Sequence, residues 1–197
     1  MSFTGVGSFP SFPRDKFLHK LWPTGDRETR QIGPGKIRGR FFGAVMASDI
    51  QIAALAKVFA AAMSAAVLFP QAQASEAMAE SGWMTKALAV TDNNLFGTKQ
   101  HTHPIYGTVN LPTREFLNDR WVVENDNFIV YPTLADCFAD RMHTLEQLAP
   151  NYPHYAAALA ASTPEEFLTQ VSLTWSTDPD RGATCIAIMH AHEDVLR

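Results

Sequence analysis

A helix bounded by a proline and a glycine is the feature that most constrains the fold of this chain. Residues 71–81 are rich in good helix formers, Pro70 suits the first helical turn, and Gly82 suits a left-handed residue that ends a helix. Glu80 would then lie at the negative end of the helix dipole, beside the indole of Trp83. Partial burial and the dipole would both favour a neutral carboxylic acid at this position. Because cleavage of a glycosidic bond needs such an acid as proton donor, Glu80 is a candidate general acid.

Capping patterns predict further helices on both sides of this one. Ser48 with Gln51 forms a capping box, and the apolar spacing that follows predicts a long helix with one buried face. Three more helices are predicted near the C-terminus, each from a local start signal. The predicted buried face of the first helix is Ile52, Leu55, Phe59, Met63 and Val67, and the later start signals are Thr133 with Asp136, Thr163 with Glu166 behind Pro164, and Asp178-Pro179.

The pattern between Ile105 and Tyr131 changes to short β segments. Turn signals at Asn118-Asp119 and Asn125-Asp126-Asn127 predict a small hairpin or a three-stranded ribbon. Residues 84–103 are predicted to form a loop with one short helical turn. The fold class is therefore predicted as α+β, mainly α, with a helical lobe and a small β-hairpin lobe.

The chain of 197 residues is uneven in charge. Residues 1–45 hold eight basic and three acidic side chains, whereas the remainder holds eight basic and seventeen acidic ones. The first segment is rich in Gly and Pro and lacks helical periodicity, so we expect an irregular basic N-terminal arm over 1–45 and one domain over 46–197. The arm is either a solvated tail or a segment that docks on an acidic protein partner or anionic wall polymer. No nucleic-acid partner is expected.

Cys137 and Cys185 lie far apart within helical patterns, and each is predicted to be a small buried hydrophobe rather than half of a disulfide. The start of the chain lacks a charged segment followed by an apolar run, so no N-terminal signal peptide is expected. The apolar run 58–69 is too short to span a bilayer and is interpreted as core helix.

A series of short motifs, in the family's order, resembles glycoside hydrolase family 73, the glucosaminidase domains of peptidoglycan hydrolases that include flagellar-rod hydrolases and autolysins. Glu-Ser-Gly-Trp at 80–83 is followed by Asn-Asn-Leu-Phe-Gly-Thr-Lys at 93–99. The other matches are Thr113-Arg114-Glu115-Phe116, Phe128-Ile129-Val130-Tyr131-Pro132 and Thr177-Asp178-Pro179, and the resemblance runs from about Ile50 to Val195.

The resemblance implies a lysozyme-like fold that hydrolyses the β-1,4 bond after N-acetylglucosamine in peptidoglycan glycan strands. Glu80 would be the general acid, and Glu115 would activate water or stabilise the transition state. Substrate assistance by the sugar acetamido group would relax the need for Glu115. No cofactor and no metal are expected, and the enzyme would act on the cell wall after delivery by a route other than an N-terminal signal. Phe96 would offer a surface for a sugar ring or a wedge into the core, and Tyr131 would pack the hairpin onto the helices with its hydroxyl group toward the cleft. The implied substrate-binding residues are Trp83, Asn93, Asn94, Phe96, Lys99, Tyr131, Trp175 and Asp178.

Several positions depart from the family pattern. Trp175 stands where the family has a Tyr, which keeps a stacking face and an N–H donor but loses the hydroxyl group. Met84 and Lys86 replace the usual Gly and Ser, and Glu76 stands where Gln is common. These changes leave substrate detail open.

Three alternative functions remain open: a muramidase, a lytic transglycosylase and a weakly active structural component. A muramidase or a lytic transglycosylase would cut the same polymer with the same scaffold and acid. A weakly active wall-binding component of a phage tail or secretion machine would keep the fold.

The pairs His101/His103 and His190/His192 suggest a metal site, but no Cys or carboxylate set completes one in the sequence.

Overall fold

The computed structural model describes residues 47–100, 106–117, 120–175 and 178–197, with backbone alone at 114–117 and 120–121. The predicted basic arm over 1–45 lies outside the described residues. Within them, seven helices and two strands follow one another along the chain. They are α1 Asp49–Ser64, α2 Pro70–Glu80, α3 Ala87–Thr91, β1 Gly107–Leu117, β2 Arg120–Val130, α4 Leu134–Leu148, α5 Pro153–Leu159, α6 Pro164–Trp175 and α7 Arg181–Ala191.

Helix α2 is the central element of the helical lobe. It packs against α1, α6 and α7, and nearly all of its residues are buried. Its polar side chains need partners because unpaired polar groups are costly in a core. The Gln73 amide donates to the Leu68 carbonyl at 2.7 Å, and the Ser75 hydroxyl donates to the Gln71 carbonyl at 2.8 Å. The predicted helix is confirmed, and its central burial explains why it can hold a carboxylate inside the protein.

Helix α1 begins as predicted but buries a different stripe. Ser48 and Gln51 form the predicted capping box. The fully buried residues are Leu55, Val58 and Ala62, whereas Met63 is 56% exposed and was wrongly placed on the core face. The helix ends at Ser64, so Val67 reaches the core from the following turn.

The β lobe is a two-stranded antiparallel hairpin whose register pairs Gly107 with Val130 and Leu117 with Arg120. The predicted turn at 118–119 lies outside the described residues. The predicted break at 125–127 is wrong because β2 runs through it. The Asn110 amide donates to the Asn127 side chain across the strands at 2.8 Å, which favours continued pairing. A single bridge between Lys99 and Phe128 adds strand-like contact at the other edge.

The C-terminal helices pack as a group behind α2. Thr133 and Asp136 form the predicted capping box of α4, and the Glu166 N–H donates to Thr163 at the start of α6. Helix α5 was not predicted. Helix α7 begins at Arg181, slightly later than Asp178-Pro179 indicates.

Both cysteines are buried and free, as predicted, and burial raises the pKa of each thiol to about 12. Among the described residues, no helix is both long and apolar enough to cross a membrane.

Candidate active site

The turn after α2 fixes the backbone around Glu80. Gly82, Trp83 and Met84 all have left-handed backbone angles, with φ of 59°, 58° and 60°. The Trp83 N–H donates to the Met78 carbonyl at 2.7 Å, and the Ser81 hydroxyl accepts from the Met84 N–H at 3.0 Å. A residue with a Cβ rarely adopts left-handed angles, and this turn contains two such residues, Trp83 and Met84, in a row. This turn folds the Trp83 side chain back beside the end of α2.

Glu80 is 9% exposed, and its carboxyl group accepts a hydrogen bond from Arg181 Nε at 2.7 Å. Lys86 Nζ donates to the Glu80 backbone carbonyl at 2.7 Å. The sequence predicted an apolar setting made by the helix end and an indole. That prediction was incomplete because a guanidinium group 101 residues further along the chain contacts the carboxyl group.

A pocket of about 220 Å³ opens beside Glu80. Of the ten residues predicted for the site, the structure brings Glu80, Trp83 and Asp178 together here. Trp83 contacts the His192 ring edge-to-face, with centroids 5.5 Å apart. Asp178 is exposed at the rim, where its Oδ1 accepts from the Asp180 N–H at 3.0 Å. The lining residues are Ala79, Glu80, Trp83, Asp178, Arg181, Thr184 and Ile188.

Arg181 belongs to a buried charge cluster behind the pocket. Its Nη2 pairs with Glu76 Oε1, its Nη1 donates to Ser172 Oγ at 2.9 Å, and Arg141 Nη2 pairs with the same Glu76 oxygen. Burial by itself would raise the pKa of Glu76, but the two guanidinium groups outweigh it and hold that pKa below its ordinary value. Glu76 is therefore an ionised carboxylate in the core.

Two aromatic residues predicted to face sugar lie instead on Arg141. The Arg141 guanidinium lies 4.4 Å from the Phe96 ring centroid and 3.8 Å from that of Trp175. Phe96 is 2% exposed and Trp175 is 7% exposed. Phe96 also packs edge-to-face on Phe138. The Arg141 guanidinium therefore covers one face of each ring, and burial leaves little of either side chain accessible to a sugar.

The asparagine loop is tied to β2 by side-chain amides. Asn94, which is 2% exposed, donates to the Thr98 and Ile129 carbonyls at 2.9 Å each. Asn93 donates to the Tyr131 carbonyl at 3.0 Å. These contacts anchor the loop. Asn93 is only half-buried, so it keeps some surface for a ligand.

Lys99 and Tyr131 also make specific protein contacts. Lys99 Nζ pairs with Asp126 at 2.8 Å and lies over the Phe128 ring. The Tyr131 hydroxyl donates to Asp140 at 2.6 Å, and the ring is 1% exposed. Burial, together with nearby Cys137 and Asp140, raises the pKa of Tyr131. Its hydroxyl group lies in the core against α4, outside the pocket.

The second predicted carboxylate, Glu115, lies on β1 opposite Val122. Its side chain is outside what the structure describes, so its catalytic role stays a prediction. The pair His101/His103 also lies outside the described residues. In the described part of the chain, no group of three or more potential metal-binding side chains occurs.

Comparison with known proteins finds a family model and several relatives that match most of the chain. Residues 56–194 match the glucosaminidase family model, described as mannosyl-glycoprotein endo-β-N-acetylglucosaminidase. A probable N-acetylmuramidase of Lactococcus lactis subsp. cremoris MG1363 is 30% identical over 145 residues, which cover 72% of this chain and 33% of that protein. An autolysin of Enterococcus faecalis V583 is 30% identical over 146 residues, covering 72% of this chain and 20% of that protein. The chain thus spans a third or less of these curated relatives.

Solved structures show the same fold. The catalytic domain of the autolysin Auto from Listeria monocytogenes superposes with a TM-score of 0.65 at 21% identity, over 78% of this chain and 90% of that one. A truncated glycoside hydrolase domain of FlgJ from Salmonella typhimurium superposes with a TM-score of 0.58 at 20% identity, over 73% and 98%. The predicted fold class is confirmed.

Proposed function

We propose that this chain hydrolyses the glycan strands of peptidoglycan, because it belongs to glycoside hydrolase family 73, the glucosaminidase family. One observation carries the proposal. The motif residue Glu80 is held at the end of a buried helix and lines a pocket with Trp83 and Asp178. A carboxyl group fixed beside an open pocket is what general acid catalysis at a glycosidic oxygen requires.

In the proposed reaction, Glu80 donates its proton to the leaving glycosidic oxygen as the bond to the anomeric carbon breaks. Water then adds to that carbon and gives up a proton. Glu115 is proposed to assist that water or to stabilise the cationic transition state. If the sugar acetamido group performs this task instead, Glu115 is dispensable.

We infer the sugar contacts from which of the predicted substrate-binding side chains remain accessible. Trp83 and Asp178 line the pocket, and Asn93 and Lys99 retain some accessible surface. We assign Asn94, Phe96, Tyr131 and Trp175 structural roles because each is buried against named partners. These four would then shape the cleft without contacting sugar.

We propose that the bond cleaved is the β-1,4 bond after N-acetylglucosamine, as the family model's description suggests. The relatives' names include a probable N-acetylmuramidase, so cleavage after N-acetylmuramic acid is the second candidate. Mass spectrometry of sacculi digested by the purified protein separates these outcomes. Glucosaminidase action leaves N-acetylglucosamine at the new reducing end, muramidase action leaves N-acetylmuramic acid, and a transglycosylase leaves an anhydro end.

Glu80→Gln tests the acid. It keeps side-chain size but supplies no proton, so digestion of sacculi should fall ~10²–10⁴-fold in a folded protein. Glu165→Gln makes the same change on the surface of α6 and should leave digestion unaffected. A folded Glu80→Gln protein that digests sacculi at the parent rate rules the proposal out. If the folded parent binds sacculi without releasing fragments, a wall-binding component becomes the better description.

Glu115→Gln is a separate test of the second carboxylate. We expect a substantial loss of activity with little change in stability, because a carboxylate on a small hairpin contributes little to folding. Equal digestion by a folded variant and the parent favours substrate assistance.

The wider assignments are also proposals. We propose action at the cell wall, outside the cytoplasmic membrane, with residues 46–197 as the catalytic domain. The basic segment 1–45 would then bind anionic wall polymer or an acidic protein partner. Pull-down of the full chain and of a 1–45 deletion with purified sacculi tests the polymer interaction.

A further inference from the structure

Arg181 binds one of the two Glu80 oxygens and leaves the other for chemistry. Its Nε donates to Oε1 at 2.7 Å, and no comparable hydrogen bond to Oε2 is found among the described residues. An oxygen that accepts a charge-assisted hydrogen bond is the less basic of the pair. Oε2 is therefore the oxygen left available to carry a transferable proton.

We propose that Arg181 is a positioning residue for the Glu80 acid and that Glu76 is the buried counter-charge that holds Arg181 in place. This inference rests on the proposed function, because it assigns how the proton donor of that reaction is oriented. Neither residue needs to touch the substrate's reacting atoms to fill this role.

The contacts of Arg181 explain why it can position another group. It is 5% exposed and bonds to Glu76 and Glu80 on α2 and to Ser172 on α6. A planar guanidinium with several partners has little freedom to rotate. Catalytic groups need such support, because a misplacement of about 1 Å can cost on the order of 10²-fold in rate.

Glu80 lies beside two opposite charges, the Arg181 guanidinium that it contacts and the Glu76 carboxylate behind that guanidinium. When Glu80 gives up its proton, the Arg181 guanidinium stabilises the carboxylate that forms. The ionised Glu76 carboxylate lies against Arg181 and offsets part of the positive potential that Arg181 places on Glu80. Arg181 and Glu76 thus act in opposite directions on the same proton.

Other groups surround Glu80 and are unchanged in the test variants. Helix α6 contributes the neutral Ser172. In the described part of the chain, the other charged and titratable groups around the pocket and the charge cluster are Arg141 on α4, Tyr155 on α5, Cys185 on α7, His192 after α7, and Lys86 and Asp178 on the loops.

Two substitutions should move the pH–rate profile in opposite directions. Activity falls on the alkaline side as the general acid loses its proton. Arg181→Gln removes a positive charge, so this alkaline limb should move to higher pH, by roughly one pH unit. Glu76→Gln removes a negative charge, so the limb should move to lower pH. Initial rates on soluble glycan strands across pH 4–9 would measure both shifts.

The magnitude of activity gives a second readout. Arg181→Gln should lower kcat roughly 10–100-fold with KM little changed, because the lost function is orientation in the transition state. Arg181→Lys should recover part of this loss, since an ammonium group restores the charge without the planar fork. Glu165→Gln, which repeats the Glu76→Gln change on a partly exposed side chain of α6, should move neither the profile nor kcat.

The outcomes separate this inference from the proposed function. An active Glu80→Gln protein overturns the proposed function, and the positioning role with it. Inactive Glu80→Gln with an unmoved profile in folded Arg181→Gln overturns the positioning role alone. If Glu76→Gln does not fold, Arg181→Gln and Arg181→Lys decide, because Glu76 keeps Arg141 as a partner in both.

Discussion

At the scale of single residues, Trp175 shows how a buried charge changes the role of an aromatic side chain. Its position before the Thr-Asp-Pro motif predicts a stacking surface for sugar. In the structure the Arg141 guanidinium occupies one face, and Tyr155 packs nearby with ring centroids 6.4 Å apart. The indole Nε1 is buried and finds no hydrogen-bond partner among the described residues. These contacts favour a core role.

A core role for Trp175 predicts loss of stability with intact binding. Trp175→Ala should lower the free energy of unfolding by about 3–5 kcal/mol, because it leaves a cavity and removes the cation–π contact. Trp175→Tyr should lower it less. Urea unfolding and sedimentation of the folded protein with sacculi measure the two properties. Weakened binding in a variant of parental stability would return Trp175 to the sugar groove.

The same scale shows what local sequence can and cannot identify. Glu80 was recognisable because its helix, its terminating glycine and its motif are all contiguous. Arg181 carries no local signal of its contact with Glu80. Its guanidinium reaches that carboxyl group only because α7 packs against α2, which is a property of the tertiary fold.

At the scale of elements, the left-handed turn after α2 is where backbone geometry positions the site. Gly82 adopts its φ of 59° without strain, whereas Trp83 and Met84 adopt similar angles with a Cβ. Hydrogen bonds within the turn, including that from Thr85 Oγ1 to the Gly82 carbonyl at 2.7 Å, offset part of that strain. The glycine was predictable from its place after a helix, but the two left-handed residues behind it were not.

Gly82→Ala should destabilise the protein by about 1–2 kcal/mol. An alanine at this φ is strained, and its Cβ would meet Thr85 Oγ1 at 3.2 Å. Gly107→Ala is the matched control, since a Cβ there meets nothing within 4 Å. The control should be neutral or slightly stabilising, by up to about 1 kcal/mol. Equal effects of the two substitutions in urea unfolding would contradict the strain argument.

The Glu76 cluster joins α2, α4 and α7 and predicts a specific pH dependence. A carboxylate whose pKa in the folded state lies below its ordinary value of 4.5 stabilises the fold above that pH. The contribution is lost as pH falls through the lower, folded-state pKa. Glu76→Gln should therefore cost roughly 3–5 kcal/mol at pH 7, and less at pH 3.

Urea unfolding of the parent and Glu76→Gln at pH 7, 4.5 and 3 measures this difference directly. Glu165→Gln serves as the control because the Glu165 side chain is 40% exposed and pairs with His190 near the surface, at 3.2 Å. Its cost should be small at all three pH values. A Glu76→Gln cost that does not change with pH would show that the cluster acts through packing alone.

At the scale of the whole molecule, the fold class could be predicted from the order of helix, hairpin and helix signals in the sequence. The residues that line the candidate active site could be predicted only in part. Caps and periodicity are local, so α1, α2, α4 and α6 were predicted near their observed positions. The distinction between a sugar-facing and a core-facing aromatic residue depends on which helix lies behind it. The choice between a sugar-facing and a core-facing role for Phe96 and for the Tyr131 hydroxyl group therefore required the three-dimensional structure.

The last prediction concerns how much of the chain the fold needs. The described core is built from residues 47 onward: the first helix is capped by Ser48, and its buried residues begin at Leu55. The family match covers only 56–194. A chain starting at Ala47 should therefore unfold cooperatively at nearly the same urea midpoint as the full chain, and should digest soluble glycan strands at a similar rate. Loss of binding to intact sacculi alone would assign segment 1–45 to the wall polymer. A large fall in the midpoint would instead show that residues before Ala47 contribute to the core, and the domain boundary proposed at residue 46 would be wrong.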